Sequence, residues 1–390
     1  MRTMMMAAML AQMLTATASA ATAAGDPKIL PPGGAAVLMW TPEQQAWGYK
    51  NMERIGPVHV IKRGDRVHPL PRAAVQIDPT FTARGKSYDT SSYMAEFRAS
   101  GVLVLKDGKI VLERYGLGRN AKERWTSFSV AKSLTSTLIG AAIQDGKIKS
   151  LDDAVTLYIP ELKGSAYEGV TVRQLITMTS GVKWNEDYAD PNSDVAKVGL
   201  SILEPGVNPV ISYMRRLPRE APPGTQFVYK TGETDLAGIL LSNAVGEPLA
   251  EYLSKKIWKP FGMEQDGIWL EDVAGHERGG CCMSMTLRDY GRFGLFTLGS
   301  GKAGGVQVLP AGWMQDATSP HVKSPPYGYF WWLLPDGYEA EGIFGQTVSL
   351  FPSDKLVVVI NSAWPLAWSE DINKVRMQYL QAIRAAARSL

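Results

Sequence analysis

Apolar residues follow a strand-like pattern in two parts of the chain, one near residue 100 and one near the C-terminus. Residues 101–105 and 109–113 are rich in Val, Ile and Leu and flank Asp107-Gly108, a dipeptide that favours a tight hairpin turn. Further strand-like segments span residues 327–334, 345–351 and 356–361. The pattern therefore predicts a strand pair followed, much later in the chain, by more strands.

Between these two parts, and again at the C-terminus, apolar residues recur at the spacing of a helix face. The helices predicted from this spacing span residues 129–144, 170–178, 234–244, 284–298 and 369–389. Strands from both chain ends with helices between them indicate an α+β fold. We expect an antiparallel sheet built from both chain ends and flanked by helices, with a mostly helical region, about residues 145–285, inserted between them.

Residues 1–24 have the three zones of a secretory signal peptide. A positive charge at Arg2 precedes an apolar core, and Ala18-Ser19-Ala20 matches the A-x-A cleavage pattern. The apolar core is shorter than the roughly 20 residues that span a bilayer, so we expect no membrane anchor. This interpretation predicts export across the inner membrane into the periplasm.

Charge and composition narrow the range of partners. The 390 residues include 41 Lys and Arg and 38 Asp and Glu, a formal net charge of +3. So small an excess gives no case for a nucleic-acid partner or a polybasic membrane contact. The four histidines show no metal-ligand spacing, and there is no glycine-rich phosphate loop, so we expect no metal and no cofactor. We interpret His276 as a hydrogen-bond partner within its loop.

The two cysteines of the chain, Cys281 and Cys282, are adjacent. Neighbouring cysteines rarely meet disulfide geometry without distorting the peptide. Free cysteine is among the most buried residue types. We therefore expect two buried, unpaired thiols.

The first candidate for chemistry is Ser129-Val-Ala-Lys132, at the start of the predicted helix 129–144. Residues three apart share a helix face, so the Lys132 amine can meet the Ser129 hydroxyl. Serine is a weak nucleophile until a neighbouring base takes its proton, and a desolvated lysine can act as that base. The free backbone N–H groups at a helix start also favour a developing oxyanion. The pattern predicts nucleophilic catalysis by Ser129 with Lys132 as base.

The spacing Ser-x-x-Lys also occurs at Ser180-Gly-Val-Lys183, so the spacing alone is weak evidence. Ser180-Gly181 follows the predicted helix 170–178, where glycine is typical of a helix end. This copy does not hold its lysine one helical turn from its serine. We interpret it as a helix stop.

A second candidate is Tyr229, which follows the Pro223-Gly224 turn and precedes the predicted helix 234–244. A phenol at such a junction can point into a cleft. Close to a lysine, its pKa should be lowered, and it could relay a proton to a leaving group. A packed core tyrosine is the structural alternative.

Together these motifs resemble the serine β-lactamase/DD-peptidase superfamily. Ser129-x-x-Lys132 and Tyr229-x-Thr231 occur in the order seen in class C β-lactamases, DD-peptidases and related esterases, from about residue 101 onward. The surrounding segments that also match are residues 125–132, 171–181, 223–225, 327–332 and 342–346. The sequence looks similar to the branch that includes 6-aminohexanoate-dimer hydrolase, a cleaver of short linear amides.

The resemblance implies an organisation and two further site residues. We expect a signal peptide at 1–24, an arm and the start of the catalytic domain at 25–100, and the catalytic domain at 101–390. In that branch a loop tyrosine helps to position the amide, which implies such a role for Tyr188. The strand edge near Ile343 should supply the second oxyanion N–H, beside that of Ser129.

One departure concerns the Lys-Thr-Gly strand with which β-lactamases and DD-peptidases help to hold the substrate carboxylate. Lys230-Thr231-Gly232 has these letters but overlaps the tyrosine motif and enters a helix, so we interpret it as coincidence. The matching strand near residues 341–346 has no basic residue. This loss favours a small ester or amide over a β-lactam.

The sequence therefore predicts a serine hydrolase acting on a small-molecule amide or ester through a Ser129 acyl-enzyme. The alternatives are a β-lactamase, a DD-peptidase, or a penicillin-binding sensor that is acylated once and does not turn over. The natural substrate and the oligomeric state stay open.

Overall fold

Strands from both ends of the chain form a single antiparallel sheet in a computed structural model, which describes residues 29–200 and 204–390. The predicted signal peptide lies outside the described residues. The described strands, numbered in chain order, are β1 Val58–Ile61, β2 Phe81–Ala83, β3 Lys86–Tyr88, β4 Ala99–Lys106, β5 Lys109–Tyr115, β6 Arg124–Thr126, β7 Gly267–Leu270, β8 Met283–Thr286, β9 Lys302–Ala303, β10 Val306–Gln307, β11 Val322–Lys323, β12 Pro326–Tyr327, β13 Trp332–Leu334, β14 Gly337–Gly342, β15 Gln346–Phe351 and β16 Leu356–Ser362.

The helices fill the long middle of the chain and its C-terminus. Those described are α1 Pro42–Gly48, α2 Thr90–Glu96, α3 Val130–Gln144, α4 Val172–Ile176, α5 Asp194–Lys197, α6 Pro209–Met214, α7 Thr231–Val245, α8 Leu249–Leu253, α9 Lys259–Phe261, α10 Leu287–Leu298, α11 Trp313–Ala317 and α12 Glu370–Arg388. None of the described helices is long and apolar enough to cross a membrane.

The main sheet has eight strands in the order β11-β12-β13-β14-β15-β16-β4-β5. The two ends of the chain meet where β16 pairs with β4, with Val358 opposite Val104. The β4 strand is buried along nearly all its length because helices cover both faces of the sheet. Its residues alternate between two cores, Leu103 on the side of α3 and α10 and Val102 on the side of α12. The predicted α+β fold is confirmed.

A second, four-stranded sheet in the order β1-β7-β8-β6 does not follow from the apolar pattern. Residues 284–298 were predicted as one helix, but Met285 belongs to β8 and pairs with Trp125 of β6. The helix α10 begins only after Thr286, whose hydroxyl accepts a hydrogen bond from the Asp289 N–H at 3.1 Å. This cap fixes the helix start, and the preceding residues pair as a strand.

The prediction of two unpaired thiols is wrong, because Cys281 and Cys282 form a disulfide with each other. Among the described residues, no group of three or more His, Cys, Asp or Glu could hold a metal ion.

A buried ion pair joins α12 to β14. Arg376 donates from Nη1 and Nη2 to the two carboxylate oxygens of Glu339 at 2.9 and 3.0 Å, and the two side chains are 1% and 3% exposed. Each of the two terminal guanidinium nitrogens thus donates to one carboxylate oxygen. This paired arrangement is the one in which arginine binds a carboxylate most strongly. This fork fixes the C-terminal helix on the sheet.

Arg376→Met should lower the free energy of unfolding by about 3–5 kcal/mol, because it leaves buried carboxylates without their cation. The control is Lys374→Met on the same helix, whose partner Glu370 is largely exposed; it should change stability by about 0.5 kcal/mol or less. Urea unfolding followed by circular dichroism measures both. Equal losses would contradict a special role for the buried pair.

Candidate active site

Ser129 lies in a sharp turn between β6 and α3. The preceding residue, Phe128, has a positive φ of 43°, a conformation that costs a non-glycine residue about 1–3 kcal/mol. Its ring is buried against Tyr49 and Phe344, with centroids 5.0 and 5.2 Å away. The Ser127 N–H also donates to the Met283 carbonyl of β8 at 2.7 Å. This packing holds the turn and places Ser129 at the N-terminus of α3, on the wall of a cavity.

Lys132 lies one turn further along α3 and is 1% exposed. Its Nζ donates to Ser129 Oγ at 2.9 Å, to Thr231 Oγ1 at 3.0 Å and to the Gly280 carbonyl at 2.9 Å. Three acceptors match the three protons of an ammonium group. Burial lowers the pKa of Lys132 to about 8, although the carboxylates of Glu186 and Asp235 act in the opposite direction. The amine is therefore poised to hold or release a proton near neutral pH.

Tyr229 also lines this cavity, just before α7. Its ring stacks on Trp332 with a centroid distance of 5.6 Å, and Lys132 Nζ lies 5.1 Å from the ring centre. The prediction of a lowered pKa is wrong. Burial raises the pKa of Tyr229 well above its usual value, and the nearby Glu186 carboxylate raises it further. Tyr229 is thus a neutral phenol at neutral pH, able to donate a proton.

The structure also brings Tyr188 to this cavity. Its hydroxyl donates to Glu186 Oε1 at 2.7 Å, and burial raises its pKa well above the usual value. The side chain is half-buried and lines the cavity together with Ser129 and Tyr229. Tyr188 is therefore a neutral hydroxyl group beside the candidate nucleophile.

Ile343 follows the end of β14 and also lines the cavity. The residue before it, Gly342, lies directly against the turn at Ser129: a Cβ added there would come within 2.6 Å of the Ser127 carbonyl and 3.0 Å of the Ser129 nitrogen. Glycine is needed for this close approach of two backbones. The strand edge and the start of α3 therefore face the same space.

The cavity has a volume of about 370 Å³, which fits a small linear molecule. Aromatic side chains form much of its wall, and one carboxylate, Glu341, is among them. Its lining residues in the described part of the chain are Ser129, Tyr188, Tyr229, Trp332, Glu341, Gly342, Ile343, Trp368 and Asn373. No lysine or arginine is in this set.

Sequence comparison gives the family of this chain. The sequence model described as Beta-lactamase matches residues 90–376, more than half of the chain. The chain belongs to the β-lactamase family.

Two similar proteins are both named 6-aminohexanoate-dimer hydrolases. The 6-aminohexanoate-dimer hydrolase of Paenarthrobacter ureafaciens is 28% identical over 340 residues, covering 82% of this chain and 85% of the relative. A solved Bacillus anthracis structure, provisionally named a 6-aminohexanoate-dimer hydrolase, superposes with a TM-score of 0.81 at 24% identity, covering 92% of this chain and 99% of that one.

More distant structures share the fold. A family VIII carboxylesterase superposes with a TM-score of 0.58 at 15% identity, covering 76% of this chain and 95% of that one. The resemblance to the serine β-lactamase/DD-peptidase superfamily is confirmed, and the chain is a hydrolase of the β-lactamase family.

Sequence reasoning missed Glu186, which connects several residues of this candidate site. Its carboxylate accepts hydrogen bonds from the Thr231 N–H at 2.9 Å and from the side chains of Thr231, Trp184 and Tyr188. Glu186 thus links the tyrosine loop to the start of α7, whose Thr231 contacts Lys132. The sequence signal for it was only its position two residues before Tyr188.

A second missed element fixes the Gly280 carbonyl that accepts from Lys132. Asp235 of α7 accepts from the Gly280 N–H at 2.8 Å and pairs with Arg278 at 3.1 Å. The chain continues directly into the Cys281–Cys282 disulfide. Nothing in the spacing of these residues pointed to Lys132, because their contact depends on how the loop folds back onto α3.

The other sequence motifs lie outside the cavity lining. Ser180 is buried and donates to Glu233, and Gly181 has a φ of +74°. His276 lies in a loop, with Nδ1 3.1 Å from Asn208 Nδ2. Lys230 lies 3.5 Å from Glu233 in a buried ion pair, just before α7. The letters Lys230-Thr231-Gly232 therefore lie at a helix start and not on a strand.

Proposed function

We propose that this protein is a serine hydrolase that cleaves a small amide or ester through an acyl-enzyme on Ser129. The observation that carries the proposal is the 2.9 Å contact between Lys132 Nζ and Ser129 Oγ, buried at the base of an aromatic cavity. A buried amine with a pKa near 8 can accept the proton of a serine hydroxyl.

In the proposed first step, Ser129 Oγ attacks the substrate carbonyl and its proton passes to neutral Lys132. The carbonyl oxygen becomes an oxyanion, which the backbone N–H groups of Ser129 and Ile343 stabilise. Each such donor contributes about 3 kcal/mol to lowering the barrier. The close packing of Gly342 on the Ser129 backbone supports this pair of donors.

The leaving group then takes a proton from Tyr229, which regains one from Lys132, and the acyl-enzyme remains. Tyr229 suits this step because it is a neutral phenol that lines the cavity together with Ser129, and Lys132 Nζ lies 5.1 Å from its ring centre. In the second step, Lys132 accepts a proton from water as the water attacks the ester carbonyl. The Ser129 oxygen then leaves the carbonyl carbon and takes that proton from Lys132.

We propose a short linear amide, or the ester of similar shape, as the substrate class. The named activity of the Paenarthrobacter ureafaciens relative supports this choice. So does the cavity lining, which in the described part of the chain has no cation to bind the carboxylate of a β-lactam or a peptidoglycan stem. Tyr188, beside Ser129, would position the amide.

Ser129→Ala should remove turnover of p-nitrophenyl butyrate while leaving the protein folded, because the nucleophile is lost and the packing around it is kept. The measurement is time-resolved hydrolysis beside the wild-type protein, with circular dichroism as the folding control. Undiminished turnover in the variant would refute the mechanism. A stoichiometric burst without turnover in the wild type would instead favour the acylated sensor.

The rate should depend on the protonation of Lys132. Because the neutral amine is the base, kcat/KM should rise with pH through about 8. The Glu186 carboxylate raises the pKa of Lys132, so Glu186→Gln should move this inflection to lower pH. Glu370→Gln, at the exposed start of α12, should leave it unchanged. If the inflection stays at the same pH in Glu186→Gln, it does not report the protonation of Lys132.

We also propose that the protein is exported to the periplasm. The zones of residues 1–24 support this, and a disulfide persists in an oxidising compartment. When the full chain is expressed in a Gram-negative host, the mature protein in the periplasmic fraction should have lost its leader, with a mass that fits cleavage at the Ala18-Ser19-Ala20 site or at the end of residues 1–24. A cytoplasmic protein of full mass would contradict export.

A further inference from the structure

Glu341 is a carboxylate on the wall of the candidate active site to which the mechanism gives no role. It is the penultimate residue of β14, two residues before Ile343, and its side chain is 15% exposed. Strand residues two apart point to the same face of a sheet, so Glu341 and Glu339 both face α12. The Glu341 side chain lines the cavity that contains Ser129.

Arg376, the cation in contact with Glu341, donates its shorter hydrogen bonds to other residues. Arg376 gives Nη1 and Nη2 to Glu339 at 2.9 and 3.0 Å, and Nε to Asn373 Oδ1 at 2.8 Å. Glu341 keeps only a 3.5 Å contact with Nη2. Two carboxylates share one guanidinium, which leaves this wall of the cavity with one uncompensated negative charge when both are ionised.

Burial makes that charge costly. It raises the pKa of the Glu341 carboxyl to about 7, with Arg376 acting against the shift and Glu339 adding to it. A buried carboxylate is stabilised when a cation reaches it, and the cavity lining itself provides none. The aromatic rings of Trp332 and Trp368, which line the same cavity, suit an alkyl chain or its cationic head.

We propose that Glu341 is a specificity-determining residue that binds the protonated amino group of a linear substrate whose carbonyl is held at Ser129. This inference rests on the proposed function for the reaction but not for the binding, since an alkylammonium ion can occupy the cavity without being cleaved. It assigns the substrate class as amides or esters with a primary ammonium group at one end.

The test compares three probes of equal length, n-hexylammonium, 1-hexanol and hexanoate, by isothermal titration calorimetry at pH 8. The wild-type protein should bind hexylammonium most tightly and hexanoate most weakly. Glu341→Gln should weaken hexylammonium binding by roughly tenfold or more, as for loss of a charged hydrogen bond. Binding of 1-hexanol should change less than about twofold, because its contacts are with the rings.

Two further variants test whether hexylammonium binding depends on negative charge in the cavity lining. Asn373→Asp keeps an acceptor for Arg376 and adds a carboxylate to the same wall, so it should tighten hexylammonium binding by roughly twofold or more. Glu370→Gln, outside the cavity lining, should bind all three probes as the wild type does. Parallel losses of hexylammonium and hexanol in Glu341→Gln, or no preference for the ammonium probe in the wild type, would overturn the proposal.

The two proposals fail separately. Ser129→Ala should bind hexylammonium like the wild type, because the serine is not needed for the ion contact. If that variant still hydrolyses ester, the serine mechanism fails and the ammonium site stands. If hydrolysis depends on Ser129 but hexylammonium shows no advantage over hexanol, the Glu341 proposal fails alone.

Discussion

The burial of the Lys132 amine is the constraint on which the rest of the site depends. A lone ammonium is very costly to bury, and the structure offsets this cost with three acceptors at 2.9–3.0 Å. Each acceptor comes from a different part of the chain: Ser129 from the turn before α3, Thr231 from the start of α7 and Gly280 from the loop before β8. The helical region and the four-stranded sheet with β6 and β8 must therefore be assembled before the amine has its partners.

The surrounding groups are arranged to hold these acceptors in place. Asp235 fixes the Gly280 peptide, and Glu186 binds both the backbone and the hydroxyl of Thr231. The two carboxylates also raise the pKa of Lys132 against the larger effect of burial. The same residues thus contribute to the fold and to the proton affinity of the amine, which is why truncating one of them would change both.

The part of the cavity lining that includes Glu341 depends on the pairing of strands from the two ends of the chain. β16 pairs with β4, and the following α12 packs over β14 through the Arg376–Glu339 fork. That fork leaves Glu341, which lines the aromatic cavity, with only a 3.5 Å contact to Arg376 Nη2.

The sequence by itself determined the fold class, the hairpin of β4 and β5, the strands of the C-terminal half and the helix that presents Ser129 and Lys132. These features depend on neighbours in the chain, since side-chain periodicity and the three-residue spacing on a helix are local. Two predictions from the local pattern were wrong. Met285 was predicted in a helix but lies in a strand, because it pairs with Trp125 of β6. Cys281 and Cys282 were predicted as free thiols but form a disulfide. Only the tertiary structure decided that Glu186 controls the Lys132 site, that Tyr229 is a neutral phenol, and that Glu341 lacks a full partner. Each of these depends on burial and on contacts between residues far apart in sequence, which no spacing along the chain encodes.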